Sequence, residues 1–200
     1  MLNIQVLGSP HPFAANCYLV SAGKQSFVVD PTAPYQDGLV DGEVKYILLT
    51  HAHFDHILEV DSWRQSGAEV IILTDEAPAL SDPMRNCFKL YNGTDNGYFG
   101  PYRAVCDGES LEFGDSYIKV MATPGHTSGC ATYIIGDVAF VGDTVFEGGG
   151  FGRYDLPTGN FVMLRESIRR ICSLPDETIL YPGHGGPTTV AEYKQDLIIR

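Results

Sequence analysis

Thr50-His51-Ala52-His53-Phe54-Asp55-His56 follows directly on the apolar run Tyr46-Ile47-Leu48-Leu49. Three histidines and one aspartate fall within six residues. The pattern predicts a buried strand that ends in a loop of metal ligands, because imidazole and carboxylate are what zinc and neighbouring divalent metals bind. In a helix His51 and His53 would face apart, since residues two apart do not meet there. A strand end turns alternate side chains to one side and leaves Asp55 and His56 for a second ion. A merely polar surface loop is the competing account. Four ligand-type side chains crowded against an apolar strand argue against it.

Three further strand-end loops have the same character. Ser110–Gly114 and Tyr117–Met121 alternate polar and apolar residues as half-buried strands do, and they lead to Thr123-Pro124-Gly125-His126-Thr127-Ser128-Gly129. A hairpin of Thr132–Ile135 and Val138–Val141 leads to Gly142-Asp143-Thr144. Thr178–Tyr181 leads to Pro182-Gly183-His184-Gly185-Gly186-Pro187. Five of the six histidines lie in such loops. His51, His53, Asp55, His56, His126, Asp143 and His184 exceed what one tetrahedral zinc uses, but they fill two sites if one carboxylate bridges. The loops group His51, His53 and His126 on a first ion and Asp55, His56 and His184 on a second, with Asp143 as the bridge. Ions ~3.5–4 Å apart can share a hydroxide that is a nucleophile at neutral pH. A closed structural site would use cysteine thiolates. Of the cysteines at 17, 87, 106, 130 and 172 only Cys130 is near a ligand loop, and it reads as core.

The rest of the chain fits an α/β arrangement in one domain, 1–200. Asn3–Leu7 is a strand, and Cys17–Val20 with Ser26–Asp30 forms a hairpin. Asp30 either hydrogen-bonds its own turn or holds a metal ligand from behind. His11, between prolines, reads as an ordinary loop histidine. Lys45–Leu49 and Glu69–Leu73 flank a helix over Ile57–Gln65, a βαβ-like unit with parallel strands. Residues 74–106 resist assignment beyond a short helix over Asp75–Leu80 and an aromatic loop with Tyr91, Tyr98, Phe99 and Tyr102, read as packing the loop to the body. Lys89 and Arg103 read as solvated. Asn160 caps a helix whose buried stripe is Phe161, Leu164, Ile168 and Ile171. Val190–Ile199 closes the chain as a helix.

Composition narrows function. Twenty-five acids against 13 bases give a net charge of −12, which repels phosphate backbones, so nucleic acid is not expected as a partner. No apolar run approaches the ~20 residues that span a bilayer, so no membrane partner is expected. The odd, scattered cysteines and a start without a basic region and apolar core place the protein in the cytoplasm. A homo-oligomer is compatible with the sequence.

The T-H-x-H-x-D-H loop, T-P-G-H-T, G-D-T and P-G-H-G, in that order from about Asn16 to Pro187, resemble the metallo-β-lactamase superfamily. The resemblance implies an αββα four-layer sandwich, two mixed β-sheets flanked by helices, with the metals at one edge. Within it, Pro124–Thr127, Gly142–Thr144, Pro182–His184 and the segment Gly152–Gly159 are most similar to short glyoxalase II-like (hydroxyacylglutathione hydrolase-like) proteins. That implies a binuclear hydrolase of small thioesters, S-lactoylglutathione or a relative, in which a metal-bridging hydroxide attacks the carbonyl. The cofactor implied is two divalent ions, zinc first, with iron or manganese as alternatives. Asp55 would orient the hydroxide, and Phe151, Arg153 and Tyr154 would bind substrate, although Arg153 could instead pair with Asp155. β-Lactamases of this fold place cysteine where Asp143 stands, so antibiotic hydrolysis is not expected. Full-length glyoxalase II carries a helical C-terminal domain; 16 residues follow His184 here, so glutathione specificity does not carry over. The alternative is a mononuclear iron persulfide dioxygenase, which shares the fold and a G-R-x-D segment; a nuclease or lactonase ranks below both.

Overall fold

The computed structural model describes residues 2–197. Two six-stranded sheets face each other. The first holds β1 (Asn3–Leu7), β2 (Cys17–Ala22), β3 (Gln25–Val29), β4 (Glu43–Leu48), β5 (Glu69–Leu73) and β6 (Arg103–Val105), in that order across the sheet. The second holds β7 (Ser110–Phe113), β8 (Ser116–Ala122), β9 (Ala131–Ile135), β10 (Val138–Gly142), β11 (Ile179–Pro182) and β12 (Thr188–Thr189), also in sequence order. Both are mixed. β3, β4, β5 and β6 pair in parallel and β1, β2 and β3 antiparallel. In the second sheet β10 and β11 are parallel and the other pairs antiparallel.

Alternation along each strand builds the layers. Tyr46 and Leu48 of β4 point between the sheets, whereas Ile47 and the following Leu49 point outward under helices. Covered on both faces, β4 and β5 need near-continuous apolar sequence. The space between the sheets is packed with aromatics. Phe27 lies edge-on to Phe113 (4.9 Å) and Phe140 (5.9 Å), geometry that aromatic pairs prefer over face-to-face stacking. The Tyr133 hydroxyl donates across the sheets to the Leu49 carbonyl at 2.9 Å. Outside the first sheet lie α1 (Val60–Trp63) and α2 (Phe88–Asn92). Outside the second lie α3 (Phe161–Cys172) and α4 (Val190–Asp196), which bury Leu164, Ile168, Ile171 and Tyr193 against Ala139, Val141 and Leu180. The four-layer αββα order is as expected.

Several local expectations need correction. The helix over Ile57–Gln65 contracts to α1 and a 3-10 turn at Arg64–Ser66, because Glu59 supplies no side-chain cap and Gly67 (φ 86°) ends it. Phe161 is 43% exposed: it is the first residue of α3 and turns out over Tyr154 instead of into the core. β6 was not foreseen, since a three-residue strand burying only Val105 has no readable period. In the aromatic loop only Tyr98 is buried; Tyr91, Phe99 and Tyr102 stay exposed. Lys89 pairs with Asp95, and Arg103 with Glu69 and Glu109, while both side chains stay exposed to solvent as read. His11 pairs with Glu59 at 2.8 Å. The closing helix ends at Asp196; residues 198 and 199 of its expected span lie outside the described residues. No helix among the described residues is long and apolar enough to cross a membrane.

Candidate metal centre

The C-terminal ends of β4, β8, β10 and β11 deliver the four ligand loops to one edge of the sandwich. Backbone bonds tie the loops to one another. Ala131 N–H donates to the Thr50 carbonyl (2.8 Å), Gly183 N–H to Gly142 (2.8 Å) and Asn16 N–H to Gly183 (2.7 Å). The loops bring all seven expected ligand residues together. Ligand atoms of His51, His53 and His126 form one group, those of Asp55, His56 and His184 a second, and Asp143 joins His51 and His56 in a third that links them. Asp143 Oδ2 lies 3.7 Å from both His126 Nε2 and His184 Nε2, and Oδ1 lies 3.4 Å from His56 Nε2. Asp55 Oδ2 lies 3.2 Å from His184 Nε2.

Bonds behind the rings aim the ligand atoms. His56 Nδ1–H donates to Asp30 (2.8 Å), and His126 Nδ1–H to the Arg153 carbonyl (2.6 Å). Thr50 Oγ1–H donates to Asp30 (2.6 Å), which frees its oxygen to accept from His51 Nδ1–H at 3.2 Å. These bonds orient the rings and leave Nε2 of His51 and His56 bare. His51 Nε2, His56 Nε2 and Asp143 Oδ1 are buried and have no hydrogen-bond partner, while His53 Nδ1 faces His126 Nε2 at 2.9 Å. Unsatisfied buried polar atoms are costly, and this set has the chemistry of divalent-metal ligands. A pair of ions fits it. Two glycines make the closeness possible. A Cβ at Gly183 would overlap Asp143 Oδ1 and crowd His56, and one at Gly152 would overlap the Asp143 carbonyl.

Electrostatics favour neutral ligands at His51, His53 and His126, whereas His56 holds a proton that a metal would displace. Burial, reinforced by neighbouring imidazoles, holds His51 well below the usual histidine range and lowers His53 to about 3, so both rings are neutral ligands. Burial also outweighs Asp143 in lowering His126. Burial works against charging His56 too, but Asp30 and Asp143 on either side raise it well above the usual value. Asp143 is held low by His56, His126 and His184 against burial, and Asp55 by His184 and His56.

Around the mouth, Phe54 stacks on Tyr91 at 5.5 Å and Phe146 lies 6.3 Å from His184. Phe151 and Tyr154 are 40% and 43% exposed and pack on Phe161. Arg153 is clamped by Asp155 through two 2.8 Å bonds and donates to the Tyr91 hydroxyl (2.9 Å). Its guanidinium therefore has the structural partner weighed from the sequence, and its backbone carbonyl steadies His126. Sequence reading missed Asn16, Tyr18 and Glu76. Asn16 Nδ2 donates to the Pro182 and Gly185 carbonyls, and the Tyr18 hydroxyl to Pro182, securing the His184 loop. None carries a ligand signature, and only the fold puts them beside the loops.

The chain belongs to the Metallo-beta-lactamase superfamily, whose profile matches residues 11–184. It is 32% identical to the probable metallo-hydrolase YqgX of Bacillus subtilis, over 90% of this chain and 89% of that one. It is 29% identical to Hydroxyacylglutathione hydrolase GloC of Haemophilus influenzae, over 97% and 96%. It spans 34% of the longer Beta-lactamase hydrolase-like proteins of Xylella fastidiosa. Among crystal structures, BLEG-1 B3 metallo-beta-lactamase superposes with a TM-score of 0.85 (32% identity, 98% of this chain, 97% of that one). TTHA1623 in a di-iron-bound form gives 0.82 (29%, 99% and 100%), and ETHE1 from Myxococcus xanthus 0.74 (26%, 99% and 83%).

Proposed function

We propose that this protein is a two-metal hydrolase of small acyl thioesters, with S-lactoylglutathione as the first substrate to try. The observation that carries the substrate class is the end-to-end likeness to GloC. When bound, divalent ions supply a water acidified toward neutral pH and a Lewis acid for the carbonyl oxygen. The protein supplies the remainder. Asp55, ionised and partly exposed at the mouth, accepts a hydrogen bond from the attacking water and orients it. The bonds to Asp30, Thr50 and the Arg153 carbonyl fix the imidazoles before substrate arrives. Phe151 and Tyr154 offer an apolar surface to the acyl or thiol arm. A thiolate leaves readily near neutral pH without a general acid to protonate it. Zinc is the reading from the donor set; the di-iron form of TTHA1623 makes iron the alternative.

A second reading is β-lactam hydrolysis. The sequence argued against it from Asp143, yet the likeness to BLEG-1 is as strong as any reported above. A mononuclear iron dioxygenase is disfavoured because His184 completes a second cluster. Metal-loaded and chelator-treated protein assayed with S-lactoylglutathione, a simple acyl thioester and a β-lactam separates the hydrolases. Metal-dependent thioester cleavage supports the proposal. Cleavage of the β-lactam alone, or one iron per chain with oxygen uptake on glutathione persulfide, overturns it.

A further inference from the structure

Glu76 lies just after β5 and is 1% exposed. Its carboxylate accepts three hydrogen bonds: from Ala52 N–H (3.0 Å) on one oxygen, and from Thr127 Oγ1–H (2.8 Å) and Gly129 N–H (3.0 Å) on the other. Ala52 stands between His51 and His53, and Thr127 follows His126. One buried carboxylate thus joins the two loops that supply every member of the first ligand group. The approach is close: a Cβ at Gly129 would overlap the Glu76 backbone nitrogen. No cation forms an ion pair with Glu76 among the described residues, so neutralising a charge does not explain it. An apolar side chain would fill the volume without the cost of burying a carboxylate, but would leave Ala52 N–H and Gly129 N–H unpaired.

We propose that Glu76 is a positioning residue that sets the spacing between the His51/His53 loop and His126, and with it the metal affinity of that group, without touching metal or substrate. The proposal rests on the two-metal reading above. It makes the first site the more sensitive one: the Ala52 loop also carries Asp55 and His56 of the second group, but none of these three bonds reaches the loop of Asp143 or that of His184.

The test is Zn²⁺ binding to the full chain, measured by competition with a chromophoric chelator, for wild type, Glu76→Gln and Thr127→Val. Gln has the shape of Glu but accepts on one arm only, so one donor must face an amide N–H. The expected result is a roughly tenfold to hundredfold weaker affinity at one site, the size typical of lost support behind a ligand, with a smaller loss at the other. Thr127→Val, which keeps the shape and removes one donor, should weaken the same site and carries the test if Glu76→Gln does not fold. Wild-type affinity at both sites in a folded variant overturns the proposal, including when the melting temperature alone drops. Weakening of both sites alike overturns the claim that Glu76 acts chiefly on the three-histidine group. A wild-type protein that binds no second ion instead counts against the two-metal reading, and the three-histidine site then decides Glu76 by itself.

Discussion

Asp30 shows how much chemistry one residue outside the ligand set can carry. It sits at φ 49°, a left-handed conformation that Asn and Asp tolerate better than most, and its carboxylate takes Thr50 N–H, Thr50 Oγ1–H and His56 Nδ1–H. Asp30→Asn keeps the backbone and the shape but can set an amide N–H against the imidazole, favouring the tautomer that cannot ligate. Metal affinity should fall by roughly tenfold to hundredfold, measured by chelator competition. Asp143→Ala, which removes the shared carboxylate, should loosen both sites and abolish thioester cleavage; full metal content in that variant would contradict the bridging role. Glu76 gives a pH prediction. Burial raises it to about 7 from the usual 4.5. Between those values the folded state holds a proton that the unfolded chain has released, so stability present at low pH is lost as pH rises through 7. In chelator-treated protein, wild type should lose up to about 3 kcal/mol relative to Glu76→Gln over that interval, read by denaturant melts. A gap independent of pH would contradict it. The ligand residues were visible in the sequence because histidine and aspartate beside glycine at strand ends are chemically conspicuous. Among their supports Asp30 was weighed from the sequence, but Glu76 and Asn16 were not, because they act through backbone groups more than 20 residues away.

At the scale of elements, α3 is the clearest case. Asn160 caps it as expected, accepting from Met163 N–H at 3.1 Å, and Ser167 Oγ–H donates to the Pro124 carbonyl in the loop that carries His126. Asn160→Ala should cost about 1 kcal/mol in chemical denaturation. Leu164→Ala, fully buried beneath Gly125, should cost about 2–5 kcal/mol and weaken His126 as a ligand as well. Strands with a clear period, such as Tyr117–Met121, were legible because alternation survives wherever one face is covered. The stretch from Thr74 to Cys106 was not, because Asn86 and Tyr98 hold it through side-chain bonds to turns rather than through a repeating apolar face.

At the scale of the molecule, the ligand loops lie at one edge of two sheets whose facing sides form a single apolar layer. The sheets hold the loops in register, so a residue such as Asn16 before β2 can secure His184 after β11 across 168 positions of sequence (184 − 16). The net charge of −12 also eases as cations bind, since two dications offset up to four negative charges. Removing the ions should therefore lower the melting temperature and return it on reloading. The central claim is that seven side chains from four loops form one two-ion centre. Its most direct test is the number of Zn²⁺ equivalents that metal-free full-length protein takes up at saturation. The structure predicts two per chain; saturation at one, or none, would contradict it.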